Sequence, residues 1–479
     1  MTIDDIIKKI SGYENLDLYD NQEYMQMWLE WYRGKSEKFH SYKIYNGRNF
    51  IPMDRFSLGM GKRVCEDWAN LLINEKTDVV VGDEQSQNTL NDILRKCKFW
   101  KKANEGVEKT FALGTGAFVV RVDKIPMSMD GYTIIPQGEV NVSFVNGQKI
   151  RPITIEDGEI TECAFINIGS KETNISIHLK DESGNYRIHN IVAHGRDGEN
   201  LIYDDKNDYY IFDTKNTIPW FAILKPNISN NIDINSPLGI SIFANNIDTL
   251  KEIDLIYDSF ANEFALGRKR IFINARNSII NLKNGEQQEV FDSNDVAIYV
   301  LPEDDDGKTT MWDNTQTLRV ADHQTGIQTQ LNLLSYACGF GTNHYKFDGG
   351  SVATATQIVS ENSDLFRNLK KHEIIIEDAL ITVMNAIVYA ANTFTQQRIN
   401  AGTSIEIQFD DSIIEDKQGE KANDRIDVSM GVMSKAEFRS KWYGETLEVA
   451  QRKIDEINNL TITDEDMFEE EEQIQDAEE

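Results

Sequence analysis

One stretch constrains this chain more than any other: about 40 residues, Ala355 to Phe394, that read as a single helix. Ile358, Leu365, Leu369, His372, Ile376, Leu380, Val383 and Ile387 recur at steps of three, four or seven, which sets them on one face. Typical helices run to ~11–12 residues. A helix several times longer with one apolar stripe must be covered along its length, so it predicts a bundle, a coiled coil or a ring.

Two further helices lead up to it. Phe243, Ile247, Leu250, Ile253 or Asp254, Tyr257, Phe260 and Phe264 keep a spacing near 3.5, while Asp248, Glu252, Asp258 and Glu263 give the opposite face an acidic character against Lys251 alone. This helix runs into a basic knot, Arg268, Lys269 and Arg270, and then two strand-like runs, "RIFINA" and "VAIYVLP". The second helix reads from Thr317 to Cys338, with Ile327, Leu331, Leu334 and Cys338 on one face. A glycine-flanked break, "GFGTNHYKFDGGSVAT", separates it from the long helix and carries His344, Tyr345, Lys346 and Phe347. Aromatic and cationic side chains between glycines suit contact with phosphates and bases, and equally a buried helix–helix corner.

The remainder is mixed. Tyr24, Met27, Trp28, Trp31 and Tyr32, then Val64, Trp68, Leu71 and Leu72, then Leu90, Ile93, Leu94 and Cys97 give the first 115 residues a helical reading with core-facing stripes. From Ala117 to Asp213 the period drops to two, in short runs such as "AFVVRVD" and "ISIHLK" punctuated by Gly, Asn and Asp, which predicts a mostly antiparallel β region. Pro219, Pro226 and Pro237 mark an irregular linker, and "SIEIQFDD" reads as a late strand. The class is α+β, mainly α. From Asp464 to Glu479 ten of sixteen residues are acidic, which predicts a disordered or solvated tail.

Charge narrows the function. Among 479 residues the formal net charge is -30, so tight binding to DNA by counterion release is disfavoured, although passage of DNA past an acidic wall is not. Cys65, Cys97, Cys163 and Cys338 are widely spaced and read as buried small apolar residues in a reducing cytoplasm. Nothing reads as a signal peptide, and no uninterrupted apolar window approaches the ~18 residues of a membrane span. No phosphate loop, GxSxG or HExxH occurs. The run "PEDDDGK" offers hard oxygen ligands, but adjacent carboxylates point apart and a solvated hairpin tip is the better reading. Among His40, His178, His189, His194, His323, His344 and His372, none pairs with Cys or acid at a ligand spacing. No catalytic residue, metal or cofactor is therefore expected, and the chain is not expected to be an enzyme.

The stretches "GKRVCEDWANLLINEK", "IRPITIEDGEITECAF", "NSPLGISIFANNIDTLKEIDLIYDSFANEF", "RKRIF", "NLLSYACGFGTNHYKFDGG" and "TATQIVSENSDLFRNLKKHE" together resemble the portal proteins of tailed double-stranded DNA bacteriophages, of the siphovirus type that infects Gram-positive bacteria. The resemblance implies a homo-oligomeric ring, dodecameric in the family, at one capsid vertex, with double-stranded DNA in its channel for packaging, retention and ejection. It implies as partners the terminase large subunit, a head–tail adaptor, and capsid and scaffolding proteins, with no membrane. Location would be the virion, after assembly in the host cytoplasm. Residues 1–239 would form the wing, 240–267 and 317–339 the stem helices, 268–316 the clip and 340–352 the tunnel loop. Residues 353–396 would be the long wing helix, 397–419 a wing strand and linker, 420–462 the crown and 463–479 the acidic tail. His344, Tyr345, Lys346 and Phe347 would face DNA, and Arg268, Lys269 and Arg270 would meet motor or adaptor. The rival readings are a capsid or baseplate protein that never touches DNA and a metal-dependent nuclease.

Overall fold

A computed structural model describes residues 1–13, 22–124, 137–196, 199–267, 271–274, 279–281, 287–289, 298–301, 311–313, 317–346, 355–400, 402, 404–409, 417–443, 447 and 449–457. Helix accounts for 48% and strand for 24%, a mixed α+β fold. The chain divides into two compact units, residues 1–349 with 363–410, and residues 350–362 with 411–479.

The first unit opens with α1 (Ile3–Ser11), held at its start by reciprocal bonds in which Thr2 Oγ1 accepts from the Asp5 N–H and Asp5 Oδ2 from the Thr2 N–H. Ile6 and Ile7 are buried against Ala164, Ile175, Ile177 and Ile191 of the β region. Next come α2 (Gln22–Tyr32), α3 (Glu37–His40), β1 (Ser41–Tyr45), β2 (Phe50–Asp54), α4 (Met60–Leu72), β3 (Asp78–Val81), α5 (Glu84–Lys96) and α6 (Phe99–Leu113). The helical reading of this region therefore misses three strands. β1 and β2 form an antiparallel hairpin because Tyr42, Ile44, Phe50 and Ile51 flank an Asn46–Gly47 turn. Asn46 Oδ1 accepts from the N–H groups of Arg48 and Asn49, and Gly47 sits at φ 92°. β3 has only four residues, and its partner is some 320 residues away, in the late strand. Gly61 allows α4 to press on α2: a Cβ there would lie 2.7 Å from the Trp31 carbonyl oxygen.

The β region contains β4 (Gly116–Asp123), β5 (Glu139–Asn146), β6 (Ile150–Glu156), β7 (Glu159–Ile168), β8 (Glu172–Lys180), β9 (Tyr186–Arg196), β10 (Glu199–Ile202), β11 (Tyr209–Asp213) and β12 (Phe221–Leu224). All its pairings are antiparallel. β10–β9–β8–β7–β6 form one sheet with β11 also on β9, and β12–β4–β5 form another. His178 is buried edge-on to Phe165 and Phe221, and burial pushes its pKa down to about 3, so it is a neutral core residue.

α7 (Ile247–Leu266) and α8 (Val320–Ala337) flank the short strands β13 (Ile271–Asn274), β14 (Ile279–Asn281), β15 (Gln287–Glu289), β16 (Ile298–Leu301) and β17 (Met311–Asp313). β13 pairs parallel to β16 and antiparallel to β17, so "RIFINA" and "VAIYVLP" are neighbours in one small sheet. The helix expected from Phe243 starts four residues later, after a single 3-10 turn at Ala244–Asn246. α9 runs from Ala355 to Phe394 without interruption, and β18 (Ile405–Gln408) follows. Leu365, Leu369, His372, Ile376, Leu380, Val383 and Ile387 are all buried. By length and composition alone Ser363–Phe394 is long and apolar enough to cross a membrane. In the fold that apolar stripe is spent on the core, where Phe394 meets Trp220 and Phe212 and His372 meets Trp68 and Phe111.

The second unit contains α10 (Lys417–Met430) and α11 (Lys435–Tyr443). Asp424 joins them, accepting from Trp442 Nε1–H at 2.7 Å and Lys441 Nζ at 2.8 Å. The acidic tail and the "PEDDDGK" run lie outside the described residues.

Burial separates two positions of the α7 stripe. Leu250 is buried, whereas Phe264 is 46% exposed. Leu250→Ala should destabilise the fold by ~2–5 kcal/mol, and Phe264→Ala by no more than ~0.5 kcal/mol, in a denaturant titration.

Candidate functional site

α7 and α8 run antiparallel, as their end contacts establish. At one end Glu263 of α7 receives Arg319 Nη2 at 2.8 Å, Arg319 Nε at 3.1 Å and the Arg319 backbone N–H at 3.0 Å, with His323 Nε2 at 2.9 Å. At the other, Asn246 Nδ2 lies 3.9 Å from Cys338 Sγ. Four donors on one carboxylate hold Glu263 well below its usual range, at about 2, chiefly through the Arg319 side chain.

The acidic face of α7 is less open than its sequence suggests. Asp248 and Glu252 are exposed, but Asp258 is buried and accepts from the Phe56 N–H at 3.1 Å and Asn262 Nδ2 at 2.9 Å. Asp254, on the apolar stripe, is buried as well. Its carboxylate takes His40 Nε2 at 3.0 Å, Ser57 Oγ at 2.9 Å and the Leu58 N–H at 2.7 Å. Two α7 carboxylates thus hold the segment from His40 to Leu58 on this helix, and Glu263 holds α8. A repulsive wall of four exposed acids is therefore reduced to Asp248 and Glu252.

The break after α8 folds back onto the subunit. Trp68 of α4 donates its indole N–H to the Cys338 carbonyl at 3.0 Å, and Asn368 of α9 donates to the Gly339 carbonyl at 2.9 Å. Gly339 (φ 90°) and Gly341 (φ 84°) supply the left-handed turns. Phe340 stacks on Trp68 at 4.7 Å, His344 stacks on Phe340 at 4.4 Å, and Tyr345 meets both edge-on. His344 Nε2 lies 3.6 Å from Asp67 Oδ2, while Arg63 holds the other oxygen of Asp67 at 2.9 Å. Burial, with the Asp67 carboxylate beside it, drives the Tyr345 phenol well above its usual value. Gln328 of α8 donates to the Tyr345 carbonyl at 2.9 Å. Lys346, the next residue, is exposed.

Of the residues singled out in the sequence, His344 and Tyr345 are thus brought together against Asp67, and Lys346 stands at the edge of that cluster. Phe347, Arg268, Lys269 and Arg270 lie outside the described residues. Asp67, Trp68, Asn368 and Arg319 were not picked out as site residues. A carboxylate at Asp67, directly before the apolar-stripe Trp68, was the one available signal. Among the described residues no group of three or more His, Cys, Asp or Glu is placed to hold a metal ion.

A family model described as "Phage portal protein, SPP1 Gp6-like" matches residues 18–460. The chain belongs to this phage portal family. Portal proteins of this family are structural components of a phage particle, not enzymes. No curated protein matches the sequence. The portal chain is also similar to chains in two solved structures. One is described as "Neck of native GTA particle computed with C12 symmetry", at 11% identity over 91% of this chain and 96% of that one, with a TM-score of 0.44. The other is described as "Virion of native gene transfer agent (GTA) particle", at 9% identity over 90% and 97%, with a TM-score of 0.46.

The Glu263 clamp gives the α7–α8 pair a defined acid response. A carboxylate whose pKa is lowered on folding stabilises the fold above its unfolded value near 4.5, and that contribution fades as pH falls towards the folded value of about 2. The difference in melting temperature between the native chain and Glu263→Gln should therefore be full at pH 7 and shrink steadily below pH 4.5. A difference independent of pH would show that Glu263 acts through packing rather than charge.

Proposed function

We propose that this portal protein assembles into a closed homo-oligomeric ring at one capsid vertex of a siphovirus-type phage, and that double-stranded DNA passes through the ring in packaging, retention and ejection. Membership of the portal family over residues 18–460 carries the reading. The geometry that fits it is the antiparallel pair α7 and α8 with a small sheet between them in sequence, two exposed acids on α7, and an exposed Lys346 where α8 gives way to the loop.

In this reading α7 and α8 are the stem, the β13–β17 region is the clip, and α10 and α11 belong to the crown. The terminase large subunit and a head–tail adaptor dock at the clip, where Arg268, Lys269 and Arg270 meet their surfaces. Capsid and scaffolding proteins surround the ring, which forms in the host cytoplasm and ends in the virion. The chain carries no phosphate loop, so the energy of translocation comes from a separate ATPase.

Lys346 supplies the chemistry the channel needs. A sparse ring of cations in an acidic tunnel holds phosphate briefly, because attraction beyond about one Debye length, ~8 Å at physiological salt, is screened. His344 and Tyr345 act here by placing Lys346, since their rings are engaged with Phe340 and Asp67.

Negative-stain images of the purified protein should show rings with a central hole, and a monomer at all concentrations would overturn the reading. Lys346→Glu should leave rings intact and lower the yield of packaged or retained DNA. Wild-type packaging by Lys346→Glu rings would remove Lys346 from the mechanism.

A further inference from the structure

The hairpin β1–β2 exposes apolar side chains on both faces, and among the described residues little packs on it. Its register pairs Tyr42 with Met53 and Ile44 with Ile51, which sets these four side chains on one face, apolar but for the Tyr42 hydroxyl. The other face pairs Ser41 with Asp54, Lys43 with Pro52 and Tyr45 with Phe50. Two contacts agree with this assignment: Ser41 Oγ donates to Asp54 Oδ1 at 2.8 Å, and the Tyr45 and Phe50 rings lie 5.2 Å apart. On the apolar face Ile44 is 47% and Ile51 41% exposed. Only Tyr42 has a lid, the Arg55 guanidinium, 4.1 Å above its ring.

A two-stranded hairpin is marginal in water unless something packs on it. Among the described elements the one substantial neighbour of this hairpin is the helical turn α3. Yet its base is firmly fixed. The Arg55 N–H donates to the His40 carbonyl, and both flanks are tied to α7, through His40 and Ser57 to Asp254 and through the Phe56 N–H to Asp258. Phe56 itself is 58% exposed and Leu255, one turn before Asp258, is 45% exposed, so apolar surface continues from the hairpin towards the stem helix.

Charge says what covers it. From Ser41 to Arg55 there are three cations, Lys43, Arg48 and Arg55, against one carboxylate, Asp54, in a chain whose net charge is -30. A cationic, apolar arm on an acidic molecule is complementary to another copy of the same molecule. Nucleic acid would meet the cations but would leave Ile44 and Ile51 without a dry partner surface. We propose that the β1–β2 hairpin is an assembly arm, which lays its Tyr42–Ile44–Ile51–Met53 face on the neighbouring copy of this chain. The inference rests on the ring reading above and names a surface that builds the ring.

The test uses full-length protein with the photo-cross-linker p-benzoylphenylalanine in place of Ile44, irradiated with and without duplex DNA, alongside Ile44→Asp/Ile51→Asp. The expected results are covalent dimers and higher multiples of the chain from assembled rings. For the double variant the concentration needed for half-assembly should rise at least about tenfold, equivalent to ~1.4 kcal/mol, with the melting temperature of the monomer unchanged. Rings that yield only single chains on irradiation overturn the proposal, as does assembly of the double variant at the native concentration. Cross-linking to DNA in preference to a second chain overturns it in favour of a nucleic-acid arm. A native chain that never assembles sinks the ring reading itself, an outcome distinct from rings that form without the cross-link.

Discussion

Trp68 joins four separate segments of this molecule, its own α4, α6, the end of α8 and α9. Its indole N–H is satisfied by the Cys338 carbonyl at the end of α8, its face by Phe340, and its edges by His372 of α9 and Phe111 of α6. A buried aromatic supplies large apolar area and, through one N–H, a fixed orientation. Here that orientation ties α4 to the end of α8. α8 ends where Trp68 and Asn368 have taken the Cys338 and Gly339 carbonyls, so these ends of the helix are capped by side chains from α4 and α9. His372 completes the arrangement. Burial lowers its pKa to about 3, which keeps it neutral, and its Nδ1 accepts from the Asn227 N–H, which fixes the ring against Trp68.

Along α7 the packing is governed by carboxylates. Asp254, Asp258 and Glu263 lie along α7 at spacings of four and five, and each is satisfied by groups remote in sequence. A buried carboxylate is costly unless several donors surround it, so these residues specify which partners may pack on the helix. The consequence for the proposed channel is direct. Charge committed to Phe56, Leu58, Arg319 or His323 is not free to repel a duplex, and the acidity left on this helix is that of Asp248 and Glu252. In the proposed channel, passage of DNA would then depend less on a uniform wall than on where the remaining charges stand.

Much of this could be read in the sequence, and the failures share a cause. α9 is legible because period and length reinforce each other over 40 residues, and its stripe from Leu365 to Ile387 is buried as spaced. The β region is legible because β-branched and aromatic residues alternate between turn residues. β3 is not legible, since "DVVV" has four residues and its partner β18 lies at the far end of the chain. The acidic face of α7 was misread for the same reason. Helical periodicity tells which residues share a face but not what arrives from elsewhere, and His40, Phe56 and Arg319 come from other segments. Trp68 was expected in the core. That it would also cap the end of α8 needed the tertiary fold.

The loop after α8 shows how these constraints meet at one residue. Gly339 and Gly341 turn the chain, Phe340 is pinned on Trp68, and His344 and Tyr345 are held by Phe340 and Asp67, with Gln328 fixing the Tyr345 carbonyl. Consecutive Cα atoms are ~3.8 Å apart, so Lys346 can stray from that clamp by little more than its own side chain. A cation on a slack loop would average its field over a wide volume and would lose conformational entropy on each engagement with phosphate. A cation one residue beyond a packed aromatic cluster has already lost most of that freedom on folding, so transient contact with a moving duplex costs less. If Lys346 faces the channel as proposed, its position is set by Trp68, Asp67 and Gln328.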